Sequence, residues 1–431
     1  MDILEKVSAF ALDILMEQGA DDAVVTAGES VTNEFTLAED EFTLFRTLTG
    51  HSMSLTVIKD HRKGSIAINS FEEEDIRKAA EDCMTVAAAG VPDEAWQLNP
   101  IPETGSYSWG VKTPDVGLFF DRCAELKESI AKEYPKILIT ELCTEHKGGR
   151  SIYRNSKGAL FRSEGGSYGV GIDMAGNDGE NTSSFFYTGY DTINLSVPLI
   201  DQQTMRRDLA AAEKSINTVP VEGKFTGTIV MDPGCAADFI FGALGDFAGE
   251  GGLIDGTSIW KDKLGEMVAS PLLTVSAAPL DDRTLGGERW TGEGFISENY
   301  DVIKDGRLNS FMLSLYGANK TCLQRSKNTS VSFIIEPGDK SLDEIIKGVK
   351  NGLLVGRFSG GAPSVNGDFS GVAKNAFRIV DGEITDAVSE TMISGNLADM
   401  LKNITAISKE YYSGGELIPW VAAEGIVISG K

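Results

Sequence analysis

Apolar and polar residues alternate with a period of two in several stretches of this chain: Glu41-Phe42-Thr43-Leu44-Phe45-Arg46, Ser54-Leu55-Thr56-Val57-Ile58, and again through residues 137–198. Alternation of this kind puts every second side chain on one face of an extended strand, so these runs belong to half-buried sheets and not to helices. Turn residues punctuate them at Thr49-Gly50, Asp60 to Gly64, Lys147-Gly148-Gly149, Ser156-Lys157-Gly158 and Gly165-Gly166, which predicts antiparallel meanders. On this reading His61-Arg62-Lys63 is a hairpin turn and not a basic binding patch. Two Asp-Gly pairs, Asp305-Gly306 and Asp381-Gly382, sit between short β-type runs and give the clearest hairpin signals.

Helical spacing appears between the meanders. Ile3, Leu4, Val7, Phe10, Ala11, Ile14 and Leu15 form one apolar stripe, and Gly19 follows as a stop. Ser70-Phe71-Glu72-Glu73 reads as a capping box opening a second helix, and Thr113-Pro114-Asp115 starts a third that runs to about Tyr134. Further helices are expected over residues 202–216 and 236–247, and one capped by Ser341-Leu342-Asp343-Glu344 and ending at Asn351-Gly352. The Pro-rich stretch from Val91 to Pro102 reads as a linker. Helix, sheet and helix thus occur twice in order, which points to a duplicated or composite sheet. The expected fold class is α+β, with mixed and antiparallel sheets flanked by helices. Its expected parts are an N-terminal helix-sheet-helix domain (1–92), a central α+β segment (93–218) and a large C-terminal α+β domain rich in antiparallel strands (219–431).

Composition narrows the function. Lys plus Arg total 39 against 64 Asp plus Glu, a net charge of −25, which opposes direct nucleic-acid binding because that affinity comes from cations displacing counterions. No apolar run has the roughly 18 residues of a membrane span, and the start, Met1-Asp2-Ile3-Leu4-Glu5-Lys6, lacks a signal peptide's basic region, so a cytoplasmic location is expected. Five separated cysteines (Cys83, Cys123, Cys143, Cys235, Cys322) suit reduced, mostly buried thiols.

General motifs contribute little. No P-loop is present, and Gly166, Gly169 and Gly171 lie amid strand signals with no helix after them, so they read as bends in a sheet and not as a dinucleotide site. His51, His61 and His146 are scattered; Cys143 and His146, three apart in a strand and its turn, point to opposite faces as a buried thiol and an exposed imidazole. No Gly-x-Ser-x-Gly elbow occurs. Ser258 and Lys261 match Ser-x-x-Lys and are the one candidate nucleophile pair, a match expected by chance in a chain rich in both residues.

A longer pattern begins near Thr226. Asp232-Pro233-Gly234 and its helix, Gly256-Thr257-Ser258 with Lys263-Leu264-Gly265, and Gly292-Glu293-Gly294-Phe295 are followed by Asp305-Gly306-Arg307-Leu308 and Ile335-Glu336-Pro337-Gly338. Asn366-Gly367-Asp368-Phe369-Ser370, Phe377-Arg378-Ile379-Val380-Asp381-Gly382-Glu383-Ile384 and Gly395-Asn396-Leu397 complete it. In this order the pieces resemble the C-terminal half of the TldD/PmbA family, once named modulators of DNA gyrase, and Gly50 to Ile58 and Gly64-Ser65-Ile66-Ala67 fit its N-terminal third.

In the TldD branch the helix after the Pro-Gly turn carries His-Glu-x-x-x-His. The resemblance implies two metal-binding imidazoles, a glutamate that takes a proton from metal-bound water, and a cysteine near the C-terminus that completes the site. Counted from Pro233-Gly234, those helix positions are Phe241, Gly242 and Asp246, and residues 407–415 hold no cysteine. Phe and Gly offer no metal-binding side chain, and Asp246 is one ligand where about three are needed.

The resemblance therefore implies the PmbA/TldE branch, with no catalytic or metal-ligating residue and no cofactor in this chain. It also implies a heterodimer with a TldD-like paralogue that carries the metal, expected to be zinc, with unfolded peptides as substrates and a homodimer when the chain is isolated. Two other readings stay open. One is a non-enzymatic regulator or adaptor that binds a protein such as DNA gyrase, and the other is an autonomous hydrolase using Ser258 and Lys261.

Overall fold

Long strands build the N-terminal half. The computed structural model describes all residues except 1, 39, 40, 331, 362 and 390. Along the chain come α1 (Ile3–Glu17), β1 (Asp22–Ala38), β2 (Glu41–Lys59), β3 (Arg62–Ile68), α2 (Glu73–Ala89), β4 (Thr104–Gly110) and α3 (Val116–Glu133). They are followed by β5 (Ile137–Asn155), β6 (Leu160–Gly176), β7 (Phe186–Thr192) and α4 (Met205–Lys214). One sheet of order β3-β2-β1-β5-β6-β4, with β7 also on β6, takes strands from both sides of residue 92. The pairing of β1 with β5 joins them, so the helix-sheet-helix repeat is one composite sheet.

Two helix pairs cover one face of this sheet at opposite ends. Val25 and Ala27 of β1 and Ile152 of β5 pack with α1 and α2, while Phe35 and Leu37 of β1 and Leu142 of β5 pack with α3 and α4. Equal parity along each strand keeps all of these side chains on the same face.

Several expected turns lie inside strands. Gly50 sits opposite Ser30 in the middle of β2, and Gly148 and Gly149 face Gly166 and Gly165 where β5 and β6 pair. A Cβ on Gly165 would lie 2.3 Å from Nε1 of Trp109, and one on Gly166 would lie 2.5 Å from the Val111 carbonyl. These glycines let a neighbouring segment lie on the sheet; they do not reverse the chain. The hairpin at residues 60–61 is real, with Asp60 and His61 at φ 49° and 60°, but Arg62 and Lys63 already belong to β3.

The Ser70 capping box does not form. Ser70 Oγ accepts from the Glu72 amide at 3.2 Å, and α2 begins at Glu73 with no side-chain cap. The Ser341–Glu344 box does form, and Asp115 caps α3 by accepting from Leu118.

The C-terminal half contains β8 (Thr218–Pro220), β9 (Lys224–Met231), α5 (Pro233–Ala248), α6 (Glu250–Ile254), β10 (Val275–Ala277), β11 (Tyr300–Lys304), β12 (Arg307–Leu308) and α7 (Leu315–Thr321). Next are β13 (Phe333–Ile335), α8 (Leu342–Gly348), β14 (Asn351–Gly360), β15 (Asp368–Val380), β16 (Glu383–Ser389), β17 (Thr391–Asn396), α9 (Leu397–Lys402), β18 (Ile404–Ser413) and β19 (Leu417–Ser429). Asn351-Gly352 opens β14 and does not end α8, which stops at Gly348. Both Asp-Gly pairs turn as expected, with φ of 48° and 78° at Asp305-Gly306 and 47° and 85° at Asp381-Gly382. The sheet runs β12-β11-β10-β13-β19-β9-β14-β15-β16-β8, with β17 on β15 and β19 and β18 on β19. Parallel pairs such as β9 with β14 make it mixed, so the fold is α+β.

The Pro-rich stretch is a strap that ties the halves together. Asp93 accepts hydrogen bonds from Tyr316 at 3.0 Å and Lys320 at 2.9 Å, and Trp96 stacks on Tyr316 with 3.8 Å between centroids. Asn99 Nδ2 donates to the Gly294 carbonyl at 3.0 Å. Among the described residues no helix is long and apolar enough to cross a membrane.

Gly64 marks the tightest seat of a helix on the N-terminal sheet, since a Cβ there would lie 2.5 Å from both the Cys83 carbonyl and the Ala87 amide of α2. Backbone atoms cannot step aside singly, so α2 must lift. Gly64→Ala is expected to destabilise the chain by about 1–3 kcal/mol, read as a lower denaturant midpoint.

Candidate functional site

α5 lies on the C-terminal sheet with Cys235, Ala236, Phe239, Ile240, Ala243, Leu244, Phe247 and Ala248 buried. Gly234, Asp238, Gly242, Gly245 and Asp246 are exposed and, at spacings of three and four, line up as one stripe. Asp232 caps the helix by accepting from the Cys235 amide at 2.8 Å, and Pro233 follows where a missing N–H costs nothing.

The positions singled out by family resemblance lie on this helix. Phe241 is half-buried, its ring 4.8 Å from that of Phe333. Gly242 has nothing within 4 Å of a notional Cβ, and Asp246 is exposed, its carboxyl raised above the ordinary range by burial. An aromatic ring, a glycine and one carboxylate do not make the donor set of a metal-activated water. Among the described residues no group of three or more His, Cys, Asp or Glu is arranged to hold a metal ion.

Ser258 and Lys261 point at backbone and not at each other. The buried Ser258 hydroxyl donates to the Phe247 carbonyl at 2.5 Å and accepts from the Trp260 amide at 3.0 Å, while Lys261 Nζ is 3.5 Å from the Gly256 carbonyl. Cys143 and His146 lie on opposite faces of β5, but with burial the reverse of expectation: the thiol is exposed and the imidazole is buried, 2.7 Å from the Val111 carbonyl. The middle of β5 presents His146 to the helix-covered face, where Tyr168 packs edge-on against it.

One concavity lies where the two halves meet. A cavity of 450 Å³ has walls from β7 (Tyr187, Gly189), α4 (Arg207, Asp208), the start of α5 (Asp232, Asp238) and the turn between β18 and β19 (Glu416). Cross-contacts close it: Tyr412 donates to the Gly189 carbonyl at 3.3 Å, and the Ser413 amide donates to Gln203 at 3.0 Å.

Ionisation inside it is strongly perturbed. Burial pushes the Asp232 carboxyl up to about 8, helped by Asp208 and Asp238 and opposed by the Cys235 amide and Arg207. Asp208 is raised by burial although Thr188 and Thr204 donate to it at 2.6 and 2.7 Å. Burial also raises Asp238, and it raises Glu416 with Asp238 adding to the effect. Arg207 is lowered by burial, against the pull of Asp208 and Asp232.

Beside the cavity, and sharing Tyr187, Gly189 and Tyr412 with it, a groove of 490 Å³ crosses the face of the N-terminal sheet that carries no helices. Glu34, Glu145, Gly169 and Asp191 stand opposite one another there in one row across β1, β5, β6 and β7. Like charges directly opposite are unfavourable in a sheet; Arg46 pairs with Glu34 and Lys147 with Glu145, which relieves two of the three.

Arg207, Asp208, Asp238 and Glu416 were not singled out from sequence. They come from separate parts of the chain and share no spacing. Of the cavity wall, the quoted motifs touched Asp232-Pro233-Gly234 and Phe377, and none of them marked a charge cluster.

Residues 223–430, the half bearing α5, match the family model described as the PmbA/TldA metallopeptidase C-terminal domain. A metalloprotease of Methanothermobacter thermautotrophicus is 32% identical over 210 residues, a match spanning 45% of this chain and 45% of that protein. Metalloprotease PmbA of Escherichia coli O157:H7 is 25% identical over 429 residues, 95% of this chain and 92% of that one. TldE from Thermococcus kodakarensis has the same fold, with a TM-score of 0.84 at 21% identity and 100% of each chain covered. The chain belongs to the TldD/PmbA family.

Two outcomes test the site chemistry. Asp232 binds a proton more tightly folded (about 8) than unfolded (3.8), so its ionisation opposes folding: the contribution of this one group is full below about pH 4 and is lost as pH rises through about 8. Asp232→Asn, which keeps a good cap, is expected to flatten the denaturant midpoint across that window. Ser258→Ala strands the Phe247 carbonyl and the Trp260 amide, and is expected to cost about 1–3 kcal/mol in stability while leaving any peptide hydrolysis unchanged.

Proposed function

We propose that this chain is the PmbA/TldE-like subunit of a two-protein peptide-processing metalloprotease, and that it shapes and holds the substrate while a TldD-like paralogue supplies the metal and the general base. The observation that carries this is the helix α5. It stands in the family's fold with Phe241, Gly242 and Asp246 where the resemblance puts two imidazoles and a carboxylate. The names metalloprotease PmbA and TldE, borne by relatives that match nearly end to end, support the same reading.

The substrate surface in this proposal is the cavity and its groove. β7 pairs only with β6 among the described strands, which leaves an edge to which an extended peptide can add as a further strand. Glycines at 169, 171 and 189 keep the adjoining face low, and Glu34, Glu145 and Asp191 favour cationic segments. On the same reading the complex works in the cytoplasm, the metal is zinc held by the partner, and the isolated chain forms a homodimer.

The test uses purified chain with and without the paralogue and an unfolded peptide. Cleavage is expected only from the mixture and is expected to vanish with a chelator. Chelator-sensitive cleavage by this chain alone overturns the proposal.

A further inference from the structure

The cavity between the halves contains charges of both signs, four of which make no hydrogen bond or close ion pair with a described residue, Arg207 feeling only the longer-range pull of Asp208 and Asp232. Arg207 lies over the Trp420 ring, 4.8 Å from its centroid, and Arg357 lies 6.0 Å from that of Phe185; neither donates a hydrogen bond to a described residue. Asp238 and Glu416 face the same space, and among the described residues neither carboxylate has a hydrogen-bond or ion-pair partner. Two wall residues add an unpaired donor and an unpaired acceptor shut off from solvent, Nε1 of Trp420 and Oδ1 of Asn375.

Burial shifts Arg207, Asp238 and Glu416, although Arg207 and Asp238 keep an exposed side and Arg357 is exposed, and a partly desolvated charge is costly unless matched. A ligand of one sign cannot match this set. An anion on the arginines would sit against Asp238 and Glu416, and a cation on the carboxylates would sit against Arg207 and Arg357. A ligand carrying both charges, one at each end, meets all four, and a planar guanidinium is suited to grip a carboxylate in a forked pair. The 450 Å³ volume falls at the lower end of the roughly 300–1,000 Å³ of small-ligand pockets, a size for a few residues and not for a folded segment.

We infer that the cavity binds both ends of a short zwitterionic peptide, its α-carboxylate on Arg207 and Arg357 and its α-ammonium between Asp238 and Glu416. This rests on the peptide-processing reading and narrows it. The groove along β7 takes extended chain, whereas the cavity, with charges of both signs on its wall, takes short, free-ended peptide of the kind a protease complex releases.

Calorimetric titration of the purified full chain with trialanine, N-acetyl-trialanine and trialanine amide tests it. Free-ended peptide is expected to bind, and blocking either end is expected to weaken binding about ten-fold or more. Arg207→Gln is expected to erase the difference between free acid and amide, and Glu416→Gln the difference between free amine and acetylated peptide. The comparison of blocked peptides needs no variant, so it holds even where a substitution disturbs folding. Equal affinity for all three peptides, or no saturable heat with any, overturns the inference. Cleavage by the mixture with the paralogue is a separate readout, so loss of one result leaves the other standing.

Discussion

The antiparallel pairing of β9 with β19 is the constraint on which the C-terminal half depends. Val421, Ala422 and Ala423 of the last strand stand opposite Met231, Val230 and Ile229, and β14 pairs with β9 from the other side. α5 lies on the surface these strands make, its start fixed by the Asp232 amide donating to the Val355 carbonyl at 3.0 Å. Glu416 stands at the turn into β19 and Asp238 one turn into α5, so one strand pairing sets where both carboxylates point. Because β19 is contributed by the end of the chain, the platform under α5 stays incomplete until residues almost two hundred positions apart have met, a topology that folds slowly.

The second constraint is the docking of the halves, without which there is a platform but no cavity. The strap at Asp93 to Asn99 fixes one end of the interface, and Tyr412 and Ser413 fix the other through Gly189 and Gln203. Arg207 and Asp208 come from the N-terminal half, while Asp232, Asp238 and Glu416 come from the C-terminal half. Around this shared space burial raises the Asp208 and Asp232 carboxyls and lowers the Arg207 guanidinium.

Local rules read this fold well where one residue decides the geometry. Asp-Gly pairs turned where positive φ was needed, Asp115 and Ser341 capped helices through their own oxygens, and the stripe from Ile3 to Leu15 became α1. They failed at glycine pairs within strands, where Gly165 and Gly166 are small to admit Trp109 and Val111 and not to bend the chain, a reason lodged in residues more than fifty positions away. Ser70-Phe71-Glu72-Glu73 failed differently: the Ser70 hydroxyl took the Glu72 amide and left no oxygen for the helix end. For the site, the resemblance located α5 and the identities at 241, 242 and 246, since those follow from counting along one helix. The cavity was invisible for the opposite reason, since its charges are assembled by docking and no spacing in the chain records which surfaces will meet.

The two faces of α5 explain how a helix can keep its place in this family while its chemistry differs. Phe239 packs against Phe358 and Phe369, and Phe247 packs against Trp260, all on the buried side. Gly242, Gly245 and Asp246 are on the other side, with open space around both glycines. Glycine in the place of the family's glutamate at 242 removes no core contact, and phenylalanine in the place of an imidazole at 241 makes a contact with Phe333. Selection on the apolar face therefore preserves the helix whatever becomes of the polar one, and function can move to a partner without loss of fold. Asp232 and Asp238, at the start of the same helix, line the neighbouring cavity, so the backbone that seats the apolar face also places these two carboxylates.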